Sequence, residues 1–279
     1  MRIAVVDSGI GMLSTAAALF AARPDAELYL SMDPDHMPWG PRTHDEIVER
    51  ALAGARAAVE AAGGDVDAVV VPCNTASVHG LTELRERFEP DVPVVGTVPA
   101  IKPAAAAGTP IAVWSTEATT RSEYQRRLVE TFAQGVDVTP VACVGLAEAV
   151  ESADPGRIAA AVAYAAERTP GRVRGIVLGC THYDLVGGAI AEALRARPDA
   201  AGEVELFTAA DAVAAQTLRR IGAVPGTGTD GGEAAGGGAG HGGGRVRVLA
   251  SGRPARLPAA ALTYPAGRAL AAGERSPAR

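Results

Sequence analysis

The chain has 279 residues, of which 48% are apolar and 4% aromatic, so it can bury a sizeable core built mainly from Ala, Val and Leu. This length favours two compact domains. The formal net charge of −6 includes no basic block and no segment approaches the roughly 20 apolar residues of a membrane span, which argues against nucleic acid and membrane partners.

The predicted elements alternate between apolar strands and Ala-rich helices, a pattern typical of an α/β fold with mostly parallel sheets. The strand candidates are 3–6, 28–30, 68–71, 94–95, 111–114, 138–141, 176–178, 204–207 and 246–249. The helix candidates are 14–22, 43–62, 78–88, 122–132, 155–167 and 185–197, with Thr43 and Ser122 as predicted N-caps. The run 222–245, half of whose 24 residues are Gly, is interpreted as a flexible surface insertion.

Two segments of the chain recur at nearly the same spacing. The run that begins at Ile3 (IAVVDS) has an echo at Ile111 (IAVWST), and the run around Cys73 (VVVPCNT) has an echo around Cys180 (IVLGCTH). Each of these two cysteines follows a predicted strand and precedes a Thr within two positions. Ligands of open α/β sheets bind at the carboxyl ends of the strands. We therefore expect two similar halves that place both thiols in one cleft.

Two opposed thiols suit the removal and return of a proton at carbon. A thiolate is a competent base and a thiol a competent acid near neutral pH. Helices predicted to begin near Val78 and Leu185 would direct backbone N–H groups towards Cys73 and Cys180, where they stabilise a thiolate or a carboxylate. Three widely spaced cysteines form neither a disulfide framework nor a metal motif, and no Lys lies in a strand-end motif. We therefore expect a cytoplasmic enzyme that needs neither metal nor pyridoxal phosphate.

Four motifs resemble those of the glutamate racemases, in the aspartate/glutamate racemase superfamily. They are Asp7-Ser8-Gly9, Pro38-Trp39-Gly40, Cys73-Asn74-Thr75-Ala76 and Gly179-Cys180-Thr181-His182-Tyr183. The resemblance runs nearly end to end and implies two pseudo-symmetric α/β domains, each a mostly parallel sheet flanked by helices, with the active site in the cleft between them. It implies a first domain of residues 1–97 plus 206–279, which contains the Gly-rich insertion, and a second domain of residues 98–205.

The resemblance also implies a role for each matching residue. Cys73 and Cys180 would transfer protons, assisted by Asp7 and His182 respectively, with Glu151 placed to orient His182. The residues implied to hold the amino and α-carboxylate groups are Ser8, Asn74, Thr75, Thr116, Thr119 and Thr181. The backbone of Pro38, Trp39 and Gly40 would meet the side-chain carboxylate.

The activity implied is the interconversion of L- and D-glutamate without a cofactor, which would supply D-glutamate for cell-wall peptidoglycan synthesis. The partner is then a small amino acid or dicarboxylate. The sequence does not fix the oligomeric state, for which a homodimer is one option.

Some of these positions also have a purely structural interpretation. Asp7 could cap a turn, His182 could be a satisfied core histidine, and Glu151 could be a surface carboxylate. Cys143 is interpreted as a small buried hydrophobe because no polar triplet follows it. The repeat and the polar residues after Cys73 and Cys180 argue against that interpretation for these two thiols.

The chain departs from the family pattern at five positions. Trp39 stands where the family has Tyr, Met12 where Gly is usual, and Asp184 where Pro commonly follows. Val98 and Thr208 replace acidic residues of some members. We expect these changes to alter the rim of the pocket, so aspartate or a substituted glutamate is the alternative substrate to glutamate.

Two other function classes remain open from the sequence. Lyases or cis–trans isomerases of the superfamily that act on malonate- or maleate-like diacids would use the same scaffold. A non-catalytic paralogue that binds a partner protein would be expected to have lost its thiols or their polar neighbours, and the sequence shows no such loss.

Overall fold

The computed structural model describes residues 1–199, 202–226 and 245–274. Most of the Gly-rich run therefore lies outside the described residues, and the predicted insertion stays a prediction. The strands are β1 Arg2–Val6, β2 Glu27–Met32, β3 Ala68–Val71, β4 Val94–Gly96, β5 Ile111–Ser115, β6 Val138–Ala142, β7 Gly175–Leu178, β8 Glu205–Phe207, β9 Arg245–Ala250 and β10 Arg253–Ala255.

The helices of the described part are of very different length. They are α1 Leu13–Ala22, α2 His44–Ala61, α3 Asn74–His79, α4 Leu81–Phe88, α5 Ile101–Ala105, α6 Glu117–Thr120, α7 Glu123–Phe132, α8 Leu146–Ser152, α9 Pro155–Glu167, α10 Thr181–Asp184, α11 Gly187–Arg195, α12 Ala210–Arg220 and α13 Pro265–Ala271. Short 3-10 turns lie at Ile10–Met12 and Ala261–Thr263.

Two sheets carry these strands. The larger has the order β10-β9-β2-β1-β3-β4 and the smaller the order β6-β5-β7-β8. Every pairing is parallel except that of β10 with β9. The buried strands are rich in Val, Ile and Ala on both faces, as parallel sheets covered by helices require. The prediction of an α/β fold with mostly parallel sheets is confirmed.

The repeat in the sequence corresponds to a repeat in topology. The order β2-β1-β3-β4 recurs as β6-β5-β7-β8, and the central pairs align Val5 with Val70 and Val113 with Val177. Cys73 and Cys180 follow the equivalent strands β3 and β7. The smaller sheet extends to Phe207, two residues beyond the predicted return of the chain to the first domain, and the domain bounds themselves stay a prediction.

The two predicted N-caps are confirmed. Thr43 forms a capping box with Glu46 at the start of α2, and the Ser122 side chain accepts from the Gln125 N–H at the start of α7. The helices predicted at 78–88 and 185–197 are present as α4 and α11, which begin at Leu81 and Gly187, but a short helix that the sequence did not predict precedes each of them. α3 begins at Asn74 and α10 at Thr181, so that each cysteine is itself the N-cap residue. Because Asn and Thr are weak helix formers, helix propensity did not predict the first turns of α3 and α10.

The two halves share one hydrophobic core. Ile10 and Leu13 from the first half pack in the same buried cluster as Leu146 and Tyr183 from the second. The Tyr264 hydroxyl also donates to the Val150 carbonyl at 2.7 Å. Because the halves are packed together in this way, the walls of the cleft between them are held in a defined geometry. Within the described residues, no helix is both long and apolar enough to span a bilayer.

Candidate active site

A cavity of about 90 Å³ lies where the carboxyl ends of the central strands of both sheets meet. It is bordered by every residue that the sequence analysis proposed for the site except Glu151: Asp7, Ser8, Pro38, Trp39, Gly40, Cys73, Asn74, Thr75, Thr116, Thr119, Cys180, Thr181 and His182. Residues separated by more than 170 positions along the chain thus surround one small space. The fold brings them together because equivalent strands of the two halves end at the same cleft.

Cys73 is a buried thiol at the start of a helix. It is 5% exposed, and its extended backbone caps α3. Burial raises the pKa of Cys73 well above its ordinary value, and the neighbouring Asp7 carboxylate raises it further. Cys73 is therefore held as the protonated thiol, with Asp7 in hydrogen-bond contact.

Asp7 is buried and enclosed by donors. The Ser8 backbone N–H donates to Asp7 Oδ1 at 2.6 Å, and the Thr181 hydroxyl donates to Asp7 Oδ2 at 3.2 Å. Burial raises the pKa of Asp7, and this outweighs the opposing effects of His182, Cys73 and the donor groups. Asp7 thus joins the two halves at the cleft and lies where it can exchange a proton with the Cys73 thiol.

Cys180, His182 and Glu151 form a chain of contacts on the other side of the cavity. His182 Nδ1 lies 3.8 Å from Cys180 Sγ, and His182 Nε2 lies 2.8 Å from Glu151 Oε2. Burial lowers the pKa of His182, but the Cys180 and Glu151 contacts outweigh burial and raise it well above its ordinary value. A cationic His182, oriented by Glu151, can stabilise a thiolate at Cys180. Glu151 therefore contacts His182, as the family resemblance implied.

The turn after Asp7 passes very close to this chain of contacts. A Cβ at Gly9 would lie 2.8 Å from Glu151 Cδ, and a Cβ at Gly11 would lie 2.6 Å from His182 Nδ1. Real Cβ atoms do not approach other heavy atoms so closely, so a larger residue at Gly9 would displace the Glu151 side chain and one at Gly11 would displace that of His182. The Ile10 N–H, between the two glycines, donates to Glu151 Oε2 at 2.9 Å.

The loop that contains Trp39 forms one wall of the cavity. The Met37–Pro38 peptide bond is cis, and the Arg42 N–H donates to the Trp39 carbonyl, which closes the turn. Trp39 is 1% exposed, and its indole N–H donates to Asp33 Oδ2 at 3.1 Å. Trp39 is therefore part of the folded loop and not a surface substitution.

Hydroxyl groups of the second half line the opposite wall. Thr116 caps α6, and its hydroxyl donates to Thr119 Oγ1 at 2.9 Å.

Asn74, on α3 in the first half, is buried at the cavity, and its side-chain oxygen has no hydrogen-bond partner within the described residues. An unpaired buried amide at the cavity is available to a polar ligand.

Two acidic residues near the site were missed from the sequence. Glu148, on α8, borders the cavity directly, and Asp33 at the end of β2 holds Trp39. Glu148 precedes Glu151 by three positions, so helical spacing puts both on one face of α8, and this was the available signal. For Asp33 no motif in the sequence indicates its contact with Trp39.

The departures from the family pattern lie mostly away from the cavity. Met12 is a fully buried core residue, Val98 is 53% exposed, and Asp184 and Thr208 also lie outside the lining. The expectation that all five departures alter the pocket rim is therefore wrong for Met12, Val98, Asp184 and Thr208. Each lies next to a motif in the sequence, but the fold does not place it at the cavity. Trp39 does border the cavity.

No group of three or more His, Cys, Asp or Glu residues in the described part of the chain is placed to hold a metal ion.

Comparisons with known proteins agree with this site. A family model described as Asp/Glu/Hydantoin racemase matches residues 3–221. A glutamate racemase of Herpetosiphon aurantiacus is 38% identical over 228 residues, which cover 79% of this chain and 85% of that relative.

Solved structures of glutamate racemases share the fold. The Escherichia coli enzyme, in complex with L-glutamate and the activator UDP-MurNAc-Ala, aligns with a TM-score of 0.70 and 30% identity over 81% of this chain and 84% of that one. The Thermus thermophilus enzyme aligns with a TM-score of 0.62 and 26% identity over 99% and 96% of the two chains. The chain therefore belongs to the Asp/Glu/Hydantoin racemase family and is an isomerase.

Proposed function

We propose that this protein is a cofactor-independent racemase that interconverts L- and D-glutamate by proton transfer between Cys73 and Cys180. The observation that carries the proposal is the position of both thiols on one cavity, each at the first turn of a helix that follows an equivalent strand. Glutamate is favoured because the relatives described above are glutamate racemases. The D-glutamate formed would serve cell-wall peptidoglycan synthesis.

In the proposed reaction, one cysteine thiolate removes the α-proton. The Cα–H bond breaks, an S–H bond forms, and the electron pair left at Cα is delocalised into the α-carboxylate. The thiol of the other cysteine then donates its proton to the opposite face of Cα, which inverts the centre. Backbone N–H groups at the helix starts and the hydroxyls of Ser8 and Thr75 would bind the carboxylate, whose charge rises as the proton leaves.

The two thiols have different surroundings, which supports a defined starting state. Cys73 is held protonated beside Asp7, whereas Cys180 lies beside the cationic His182. Cys180 would take the proton from one enantiomer and Cys73 would supply it to the other face.

The deciding experiment is α-proton exchange in deuterated water, followed by proton NMR without added cofactor. The panel contains both enantiomers of glutamate, aspartate and a β-substituted glutamate, because Trp39, which departs from the family pattern, borders the cavity together with Glu148. We expect loss of the α-proton signal for both glutamate enantiomers. Exchange confined to other members of the panel would reassign the substrate, and exchange with none would refute the proposal.

The two-thiol mechanism predicts that Cys73→Ala and Cys180→Ala each abolish racemisation in both directions, because each thiol serves one face of Cα. Cys143→Ala is the matched control. Cys143 is buried, as Cys73 is, but lies outside the cavity lining, so its variant should racemise near the wild-type rate. Circular dichroism checks that all three variants fold. Near wild-type racemisation by either of the first two would exclude the mechanism.

A further inference from the structure

Asp33 is a buried carboxylate that collects three side-chain hydrogen bonds. It is 7% exposed and accepts from Trp39 Nε1 at 3.1 Å and from the Ser251 hydroxyl at 2.7 Å, and its Oδ1 lies 2.9 Å from His36 Nδ1. The Asp33 backbone N–H also donates to the Ser8 carbonyl at 3.2 Å. Asp33 thus joins the Trp39 loop, the segment after β9 and the Asp7-Ser8 turn.

Trp39 borders two cavities, as Asp7 also does. One is the candidate catalytic cavity of about 90 Å³, and the other has a volume of about 140 Å³. The second cavity is lined by Asp33 and Ser251 together with Ser31 and Arg50. Pro38 and Gly40, the neighbours of Trp39 in the chain, border the candidate catalytic cavity, so the position of this loop depends on how Trp39 is held.

The charge of Asp33 strengthens its hydrogen bond with the Trp39 indole. Burial raises the pKa of Asp33, but the hydrogen bonds from His36, Ser251 and Trp39 together outweigh burial and hold the pKa below its ordinary value. Asp33 is therefore ionised at neutral pH. A charged acceptor makes a stronger hydrogen bond to an indole N–H than a neutral one.

We propose that Asp33 is a positioning residue of the substrate site, which holds the Trp39 indole at the edge of both cavities and thereby fixes the loop that receives the distal group of the substrate. The role in binding rests on the proposed racemase function. The contact itself can be tested without it, because the indole is also a spectroscopic probe. Asp33 contacts neither cysteine, so its effect should fall on substrate binding more than on proton transfer.

The kinetic test uses Asp33→Asn, Trp39→Phe and the double variant. Asn retains an acceptor oxygen but removes the charge, and Phe removes the indole N–H. We expect each single variant to raise KM for glutamate about tenfold with a smaller change in kcat, because misplacement of a binding loop by about 1 Å costs up to a hundredfold in rate. The double variant should be no worse than the more impaired single one, since Asp33→Asn weakens and Trp39→Phe removes the same hydrogen bond. Ser251→Ala, which removes a different hydrogen bond to Asp33, should change KM less.

The spectroscopic test uses a Trp114→Phe background, in which Trp39 is the one remaining tryptophan. Asp33→Asn should shift the emission of Trp39 and increase its quenching by acrylamide, whereas Ser251→Ala should do so less. Unchanged emission together with unchanged KM, or additive effects in the double variant, would overturn the proposal. A lowered Tm with an unaltered KM would assign Asp33 to stability alone. If the wild type racemises nothing, the emission data still decide whether the contact exists.

Discussion

Glu148 places a negative charge at the cavity, and this charge affects how an anionic substrate binds. Its carboxylate borders the catalytic cavity and makes no hydrogen bond or ion pair with the described residues. No Lys or Arg is found among the residues that line this cavity. An unpaired negative charge at this position opposes the binding of a substrate that itself carries a net negative charge.

Glu148→Gln should therefore lower KM for glutamate about three- to tenfold, which corresponds to roughly 1 kcal/mol of relieved repulsion between partly solvated charges. Steady-state kinetics at low salt give the measurement, and added salt should diminish the difference because ions screen the charge. Glu130→Gln is the control, because Glu130 is an exposed acid of α7 outside the cavity. A raised KM would instead show that Glu148 binds the substrate ammonium group.

At the residue scale, the sequence predicted the centre of the site and missed its periphery. Cys73 and Cys180 could be predicted because a repeat places both at strand ends, and Glu151 because the family resemblance supplies it. Asp33 and Glu148 could not be predicted in this way. Their roles depend on tertiary contacts with Trp39 and with the cavity, and those contacts have no short-range signature in the sequence.

At the scale of elements, strands were predicted more accurately than the helices at the site. Each strand is a short Val- or Ile-rich run between polar residues, and this pattern is local. The helices α3 and α10 begin with Asn74 and Thr181, residues of low helix propensity, and exist because the preceding strand and the packed core fix their first turns. The same two helices bring the thiols into the cleft, so the error concerned the elements that matter most for function.

Asp184, the last residue of α10, is an acid in an unfavourable environment. Its Oδ1 is buried and has no hydrogen-bond partner within the described residues. Burial, with a smaller effect of Asp211, raises the pKa of Asp184 to about 7, although His182 opposes this. Between its ordinary value near 4 and about 7, the folded state therefore holds a proton that the unfolded chain has released. The free energy of unfolding must fall as pH rises through this window.

Asp184→Asn should remove this loss and raise the free energy of unfolding relative to the wild type by ~1–3 kcal/mol more at pH 8 than at pH 5. Guanidinium unfolding at both pH values provides the measurement. In Asp211→Asn the pKa of Asp184 should be less elevated, so an intermediate pH dependence is expected. If the curves for wild type and Asp184→Asn run parallel from pH 5 to pH 8, Asp184 does not titrate as described.

At the scale of the whole molecule, residues of the candidate site in each half form hydrogen bonds with residues of the other half. Glu151 belongs to the second half, yet it accepts the Ile10 N–H of the first half as well as contacting His182. Thr181 of the second half donates to Asp7 of the first. The positions of Asp7, His182 and Glu151 at the candidate site therefore depend on how the two halves pack. The sequence repeat predicted the halves, but the contacts between them required the structure.

Glu151→Gln tests this dependence through the pH profile. Glu151 raises the pKa of His182, so removal of its charge should lower that pKa. The variant would lose the cationic His182 at a lower pH than the wild type, and with it the stabilisation of the Cys180 thiolate. We expect kcat/KM to be about tenfold lower at pH 8 and less affected at pH 6, because the difference grows only where the variant has lost the His182 proton.

The kcat/KM profile of Glu151→Gln from pH 6 to pH 9 gives the result, with the imidazole resonances of His182 followed by NMR. Glu167→Gln, at an exposed acid of α9, should leave the profile unchanged. A Glu151→Gln profile that coincides in shape with that of the wild type would show that His182 is held in its charge state without the carboxylate contact between the halves.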